Sequence, residues 1–282
     1  MEYFTFRNGL RMPALGLGTS NIKPELAEDA VCEAIRCGYR HIDTASSYLN
    51  EKAVGRGIAK TGISREKLFI TVKVWPSDYT RAEQAVEGSF RRLGIDYADI
   101  LLVHHPVGDY FGCWQTFEEL LKKGKTKALG LSNFSMEQIQ EFIDRFEVKP
   151  SLVTVESHPY ASQKKLRQFL NDNGIVMEAW YPLGHGDKKL TEEPVFRKLA
   201  EKYGKSVVQI ILRWHIQIGN SVLPGSGNPE HIRQNLDIFD FSLSSEDMAE
   251  IAELDTETLY KVFTDEMRQR YLRWEPDWDD QL

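Results

Sequence analysis

The sequence predicts an α/β protein of the (β/α)8 barrel type, and three observations predict it. Short apolar runs recur about eight times along the chain, each followed by a loop and an amphipathic stretch. Most of these runs are near-continuously apolar rather than alternating, as expected of parallel strands covered on both faces. No linker richer in Pro, Gly or Ser than an ordinary loop divides them, so residues 1–282 read as one barrel domain. A doubly wound open sheet is the alternative. Its dinucleotide-binding form needs G-x-G-x-x-G after the first strand, and LGLGTSN (15–21) lacks the third glycine.

The elements follow in order. YFTFRNGLRMPAL alternates apolar residues around Asn8-Gly9, the signature of a hairpin, and residues 1–13 are expected to cap the barrel floor. The strands are expected at 14–19, 39–43, 68–74, 98–105, 126–133, 151–157, 174–180 and 220–226. Capping-box patterns at Thr80–Glu83 and Ser135–Gln138 predict helix starts. Behind the first, Val86, Phe90 and Leu93 recur at helical spacing on one face. Two further helices are expected around 191–202 and 205–217, parted by Gly204. After the last strand, Asn228-Pro229 reads as an N-cap and first helical residue behind the glycine-loosened loop LPGSG. The tail, about 256–282, is aromatic and charged without clear periodicity and is expected near the barrel mouth, either folded over it or loose.

Composition narrows the function classes. The net charge of -7, with both signs interspersed, argues against nucleic acid as a partner. KKGKTK (122–127) is the one dense basic run and reads as a solvated helix end. No apolar run reaches the roughly 20 residues of a membrane span, and MEYFTFRNGL has no signal-peptide pattern. Cys32, Cys37 and Cys113 form neither a metal spacing nor an even disulfide set, which points to a reducing, cytoplasmic setting and no metal. A monomer or weak dimer acting on a small molecule is the expectation.

In a (β/α)8 barrel, chemistry collects where strands end at the C-terminal face. Polar residues that terminate apolar strands are therefore the candidates. Asp43 ends the second strand, Lys73 the third and His104-His105 the fourth, with Tyr48 one short loop beyond Asp43. Singly, each reads as a cap, a snorkelling lysine or a structural histidine. Together they make a coherent acid. A lysine ammonium favours the phenolate of a nearby tyrosine and is expected to lower its pKa. Asp43 would hold Lys73 charged, and His104 would bond the carbonyl oxygen that Tyr48 protonates. None of the four is a nucleophile, so a hydride donor would complete the reaction.

The motifs GLGTS, GYRHIDTASSY, ITVKVW, DILLVHHP, KALGLSNF and HPY, in order from about residue 5 to 255, together resemble the aldo-keto reductases. The resemblance implies a barrel carrying an extended nicotinamide cofactor, NAD(P)H-dependent reduction of aldehydes and ketones, and alcohol oxidation in reverse. It places the family tetrad on Asp43, Tyr48, Lys73 and His104. It also implies cofactor contacts at Gly18, Thr19, Ser132, Asn133, Trp180, Tyr181, Leu183 and Gly184. Thr154 stands where the family usually has glutamine, and Trp180 where a tyrosine usually stacks on the nicotinamide. The loop at Pro224, Gly225, Ser226 and Gly227, with His231, Gln234 and Asn235, is implied to hold the adenosine half. Gly225 and His231 replace a lysine and an arginine that contact the 2′-phosphate in many members. NADP(H) is the family habit, while this local chemistry makes NAD(H) equally expected. Ser20, Trp75 and His105 are implied to line the substrate pocket, with Tyr271, Trp274 and Trp278 as further candidates.

Two other functions compete. Lys73 as a Schiff-base nucleophile would make the chain a barrel aldolase, but an adjacent Asp43 keeps the amine charged. A non-catalytic nicotinamide-binding scaffold would use the same fold, and the intact tetrad weighs against it.

Overall fold

The computed structural model describes residues 1–281. A two-stranded hairpin comes first, β1 (Tyr3–Thr5) antiparallel to β2 (Arg11–Pro13), with the turn where Asn8-Gly9 places it and Gly9 at φ 82°. Eight parallel strands follow: β3 (Leu17–Gly18), β4 (His41–Asp43), β5 (Phe69–Val74), β6 (Ala98–Val103), β7 (Thr126–Ser132), β8 (Leu152–Glu156), β9 (Val176–Trp180) and β10 (Asn220–Val222). Each pairs with its sequence neighbour. A parallel bridge between Leu15 and Val222 joins the first strand to the last and closes the barrel. The first and last strands are shorter than the apolar runs predicted. Their flanking residues still extend the seam, through Gly16 N–H to Val222 O and Gly18 N–H to Pro224 O, at 3.0 and 3.2 Å.

Helices cover the outside of the sheet because each turns one apolar face inward. Val86, Phe90 and Leu93 of the helix Ala82–Leu93 are all buried, as their spacing predicts. The Ser135–Gln138 capping box is present, and Gly204 at φ 63° ends the helix Pro194–Tyr203. The expected box at Thr80–Glu83 is absent. Pro76–Arg81 instead forms a 3₁₀ turn, and the helix starts at Ala82 without a side-chain cap. The cause is tertiary: the Tyr79 hydroxyl and the His105 backbone bond each other at 2.8 Å, and Arg81 turns back to Asp78 at 2.7 Å. Lys122 and Lys123 are exposed at the helix end and pair with Glu119 and Glu83, while Lys127 lies at the start of β7 and pairs with buried Asp99.

The barrel interior is layered. At the floor, Phe6 and Met12 of the hairpin pack on Phe69, Ile100, Leu102, Ala128 and Leu152. Gly130 belongs to this layer by necessity, since a Cβ there would meet Leu102 and the Leu152 carbonyl at 2.4 and 2.6 Å. Above the floor the interior turns polar. Strand register sets Thr154 beside Glu178 and Glu178 beside Ser221. Their hydroxyls bond the two Glu178 carboxyl oxygens at 3.1 and 3.0 Å. His41 lies 3.8 Å from the same carboxyl and bonds Thr71 at 2.9 Å.

The tail is not loose. It forms a helix, Asp265–Arg273, whose Tyr271 packs with Trp75 and Val107 at the mouth, joined by Trp274 and Trp278. Among the described residues, no helix is long and apolar enough to cross a membrane.

Candidate active site

The C-terminal strand ends bring the four predicted residues together. Asp43 closes β4, Lys73 lies near the end of β5, and His104 follows β6 directly. Tyr48 arrives from the 3₁₀ turn Ser46–Tyr48, which is braced by Leu49 at φ 53°. The Lys73 ammonium donates to Asp43 and, at 3.1 Å, to the Tyr48 hydroxyl. The His104 ring meets the Tyr48 ring edge-on, with centroids 5.9 Å apart.

Protonation follows from these contacts. Burial works against the charge on Lys73, yet the adjacent Asp43 and then Tyr48 overcome it and hold the amine above its ordinary pKa. A lysine so held is no Schiff-base nucleophile. Burial, His105 and then Lys73 push His104 well below the usual histidine range, so its imidazole is neutral. Tyr48 differs from the lysine-only expectation. Burial raises its hydroxyl and Lys73 offsets only part of that rise, so the phenol stays protonated. The His104 Nδ1 has no partner among the described residues.

Asn133, at φ 69°, organises the next wall. Its amide donates to the His104 carbonyl at 3.1 Å and to Ser132 Oγ at 2.9 Å, and it accepts from the Trp180 indole at 2.9 Å. The indole is thereby fixed at the end of β9 with part of its surface exposed. Tyr181 stacks on His185 with centroids 4.3 Å apart, and Gly184 is buried against Tyr260. Thr154 is fully buried and commits its hydroxyl to Glu178, below the mouth. Gly18 and Thr19 sit at the strand seam, where the Thr19 hydroxyl bonds the Asp43 carbonyl at 2.9 Å.

Beside His104 the mouth is closed in by an aromatic cluster. Trp75 meets His104, His105, Tyr271 and Trp274 with ring centroids between 4.7 and 5.2 Å. Its indole donates to the Tyr271 carbonyl at 3.0 Å. Trp278 reaches this cluster through Trp274. Ser20 is within hydrogen-bonding reach of Tyr48.

The loop after β10 is tightly held. Asn228 caps the helix Pro229–Leu236 through Glu230 N–H, and Ser226 Oγ accepts from Asn228 N–H, at 2.9 and 3.0 Å. A Cβ on Gly225 would stand 2.8 Å from the Gly18 carbonyl, and Pro224 is buried beneath it. Gly227 packs against Leu26. His231 and Gln234 are exposed, Asn235 is buried, and Arg233 turns away to Glu33.

Sequence reasoning passed over two charged residues. Glu178 interrupts GIVMEAW and lies at the centre of the barrel's polar layer. Burial, and secondarily Asp43, push its carboxyl up to about 8. Its one signal is an acidic residue inside an otherwise apolar strand. Lys261, in the tail, carried no sequence signal.

The aldo/keto reductase family model matches residues 13–256. The glyoxal reductase of Bacillus subtilis is 45% identical, covering 86% of this chain and 89% of that protein. The morphine 6-dehydrogenase of Pseudomonas putida is 43% identical over 88% of this chain and 90% of its own. Among solved structures, a Bombyx mori aldo-keto reductase in complex with NADP superposes with a TM-score of 0.87 at 31% identity, covering 91% of this chain and 94% of that one. The polar strand ends, the closed barrel and these similarities agree: the chain belongs to the aldo/keto reductase family, oxidoreductases that reduce carbonyls to alcohols with a nicotinamide cofactor.

Proposed function

We propose that this chain reduces small aldehydes and ketones with Tyr48 as the proton donor. The observation that carries the reading is the Asp43–Lys73–Tyr48 chain of contacts at the mouth, beside a neutral His104. The residues present fit a nicotinamide: Ser132 retains an undonated hydroxyl hydrogen, and Trp180 offers a face braced by Asn133. Bound there, the cofactor supplies the hydride. His104 orients the carbonyl oxygen by hydrogen bonding, while Tyr48 donates its proton as negative charge develops on that oxygen. Lys73, held charged by Asp43, stabilises the phenolate left behind. Trp75, His105 and the tail aromatics exclude water from the reacting centre.

Tyr48→Phe is expected to lower kcat by about 10²–10⁴-fold while leaving cofactor affinity, read by quenching of tryptophan fluorescence, nearly unchanged. Near-normal turnover in that variant would remove Tyr48 from the proton-donor role.

The cofactor is NADPH or NADH with little discrimination between them. Gly225 is pressed on the Gly18 carbonyl, Arg233 is engaged by Glu33, and His231 stands exposed without a second cation. The ratio of kcat/KM for NADPH over NADH should fall below about a hundredfold, or nearly 3 kcal/mol. A larger ratio would show that another cation reads the 2′-phosphate. The odd, unpaired cysteine set and the net charge of -7 support cytoplasmic action on small molecules rather than on nucleic acid.

A further inference from the structure

Lys261 begins the segment that returns over the mouth, and its backbone is pinned. Glu156, at the end of β8, accepts from Lys261 N–H at 3.1 Å and from Tyr260 N–H at 2.6 Å. The same carboxylate lies 3.0 Å from His158, so it is committed to holding the chain. From this fixed base the Lys261 ammonium stands 5.8 Å from the Trp180 ring, 5.2 Å from Phe263 and 6.0 Å from Tyr271. Phe263 and Tyr271 in turn lie against His105, at 5.3 and 4.7 Å between ring centroids. The ammonium is therefore between the nicotinamide platform and the pocket wall.

Its charge reaches the catalytic wall, where it adds to the forces keeping His104 and His105 neutral. Among the cations nearest the four candidate residues, Lys73 has Asp43 and Arg81 has Asp78. Lys261 has no carboxylate partner among the described residues. Aromatic faces alone satisfy a cation only weakly, by about 0.5–1 kcal/mol at exposed sites. A half-buried ammonium in such a setting is a binding group for an anion carried by whatever enters the pocket.

We propose that Lys261 selects carbonyl substrates bearing a carboxylate, through an ion pair formed with that carboxylate while the carbonyl rests at Tyr48 and His104. The proposal rests on the reductase reading above and adds a substrate class to it.

The test compares 4-carboxybenzaldehyde with methyl 4-formylbenzoate, which differ in charge at one position. The intact protein is expected to prefer the acid by roughly tenfold in kcat/KM, the usual scale of a charge-assisted bond. Lys261→Met should bring that ratio to within about twofold, and Lys261→Arg should retain it. Equal rates on acid and ester in the unsubstituted protein would overturn the proposal without any variant. So would a preference that survives Lys261→Met. Weakened cofactor binding in Lys261→Met at an unchanged acid-to-ester ratio would assign the lysine to the cofactor's phosphates and overturn it too. If neither these aldehydes nor glyoxal consumes NADPH or NADH, the reductase reading itself falls and takes the substrate class with it.

Discussion

Tyr48, Lys73 and Asp43 show how neighbours set the chemistry of a side chain. The ammonium does not turn Tyr48 into a ready phenolate, because burial raises the hydroxyl by more than Lys73 lowers it. In the proposed reaction this makes Tyr48 an acid that holds its proton until a carbonyl oxygen gains charge. Glu178 obeys the same balance one layer lower, where burial and Asp43 outweigh the pull of Lys73. A carboxyl at about 8 in the folded chain is protonated at neutral pH, while the unfolded chain ionises it near 4.5. The native state then binds the extra proton between those values, so this contribution is full below the ordinary carboxylate range and is lost as pH rises toward 8. The slope is ~1.4 kcal/mol per pH unit within that window. Glu178→Gln mimics the protonated form and keeps partners for Thr154 and Ser221. The melting temperature of the variant should therefore gain on the parent steadily from about pH 5 to pH 8. A difference that stays flat across that range would show that Glu178 is ionised in the folded protein.

Among the elements, the tail departs furthest from what its sequence displays. Its helix has little apolar content, and it is placed by contacts made elsewhere. Tyr271 and Trp274 grip Trp75, the Ser77 hydroxyl donates to the Trp274 carbonyl at 2.9 Å, and Asp279 pairs with Arg91 and Arg92. Arg92 is itself fixed by buried Glu51 at 2.7 Å, so the far end of the tail is tied to a rigid partner. Asp279 is half-exposed, and its pairs are discounted by solvent to about 1 kcal/mol. Asp279→Asn should speed proteolysis within 256–282 about fivefold and raise KM for aldehydes more than it lowers kcat. An unchanged cleavage rate would mean that the aromatic packing alone holds the tail. The loop after β10 is the opposite case. Its Asn-Pro helix start was legible in sequence, but the reason for Gly225 was not. Only the seam between β3 and β10 brings the Gly18 carbonyl to 2.8 Å from where a Cβ would stand.

For the whole molecule, the barrel sorts its interior by depth. The hairpin seals one end with Phe6 and Met12, a hydrogen-bonded polar layer follows, and the proposed catalytic groups stand at the other end. The sequence by itself determined the eightfold strand–helix rhythm, the hairpin, the family and the four candidate residues at the mouth, three at strand ends and Tyr48 one short loop beyond. These are local or periodic signals: apolar runs are set by burial on both faces, and a strand's last polar residue faces the mouth wherever that strand lies in the barrel. Strand register and the folded-back tail were decided by tertiary structure alone. Register made a proton-holding cluster of Glu178, Thr154 and Ser221, residues that stand 24 and 43 positions apart in its two hydrogen bonds. The return of the tail brought Lys261 beside Trp180 and the aromatic rings that lie against His105. Such groups meet through long-range packing, and neither their distance nor their desolvation is written in the neighbours of any one of them.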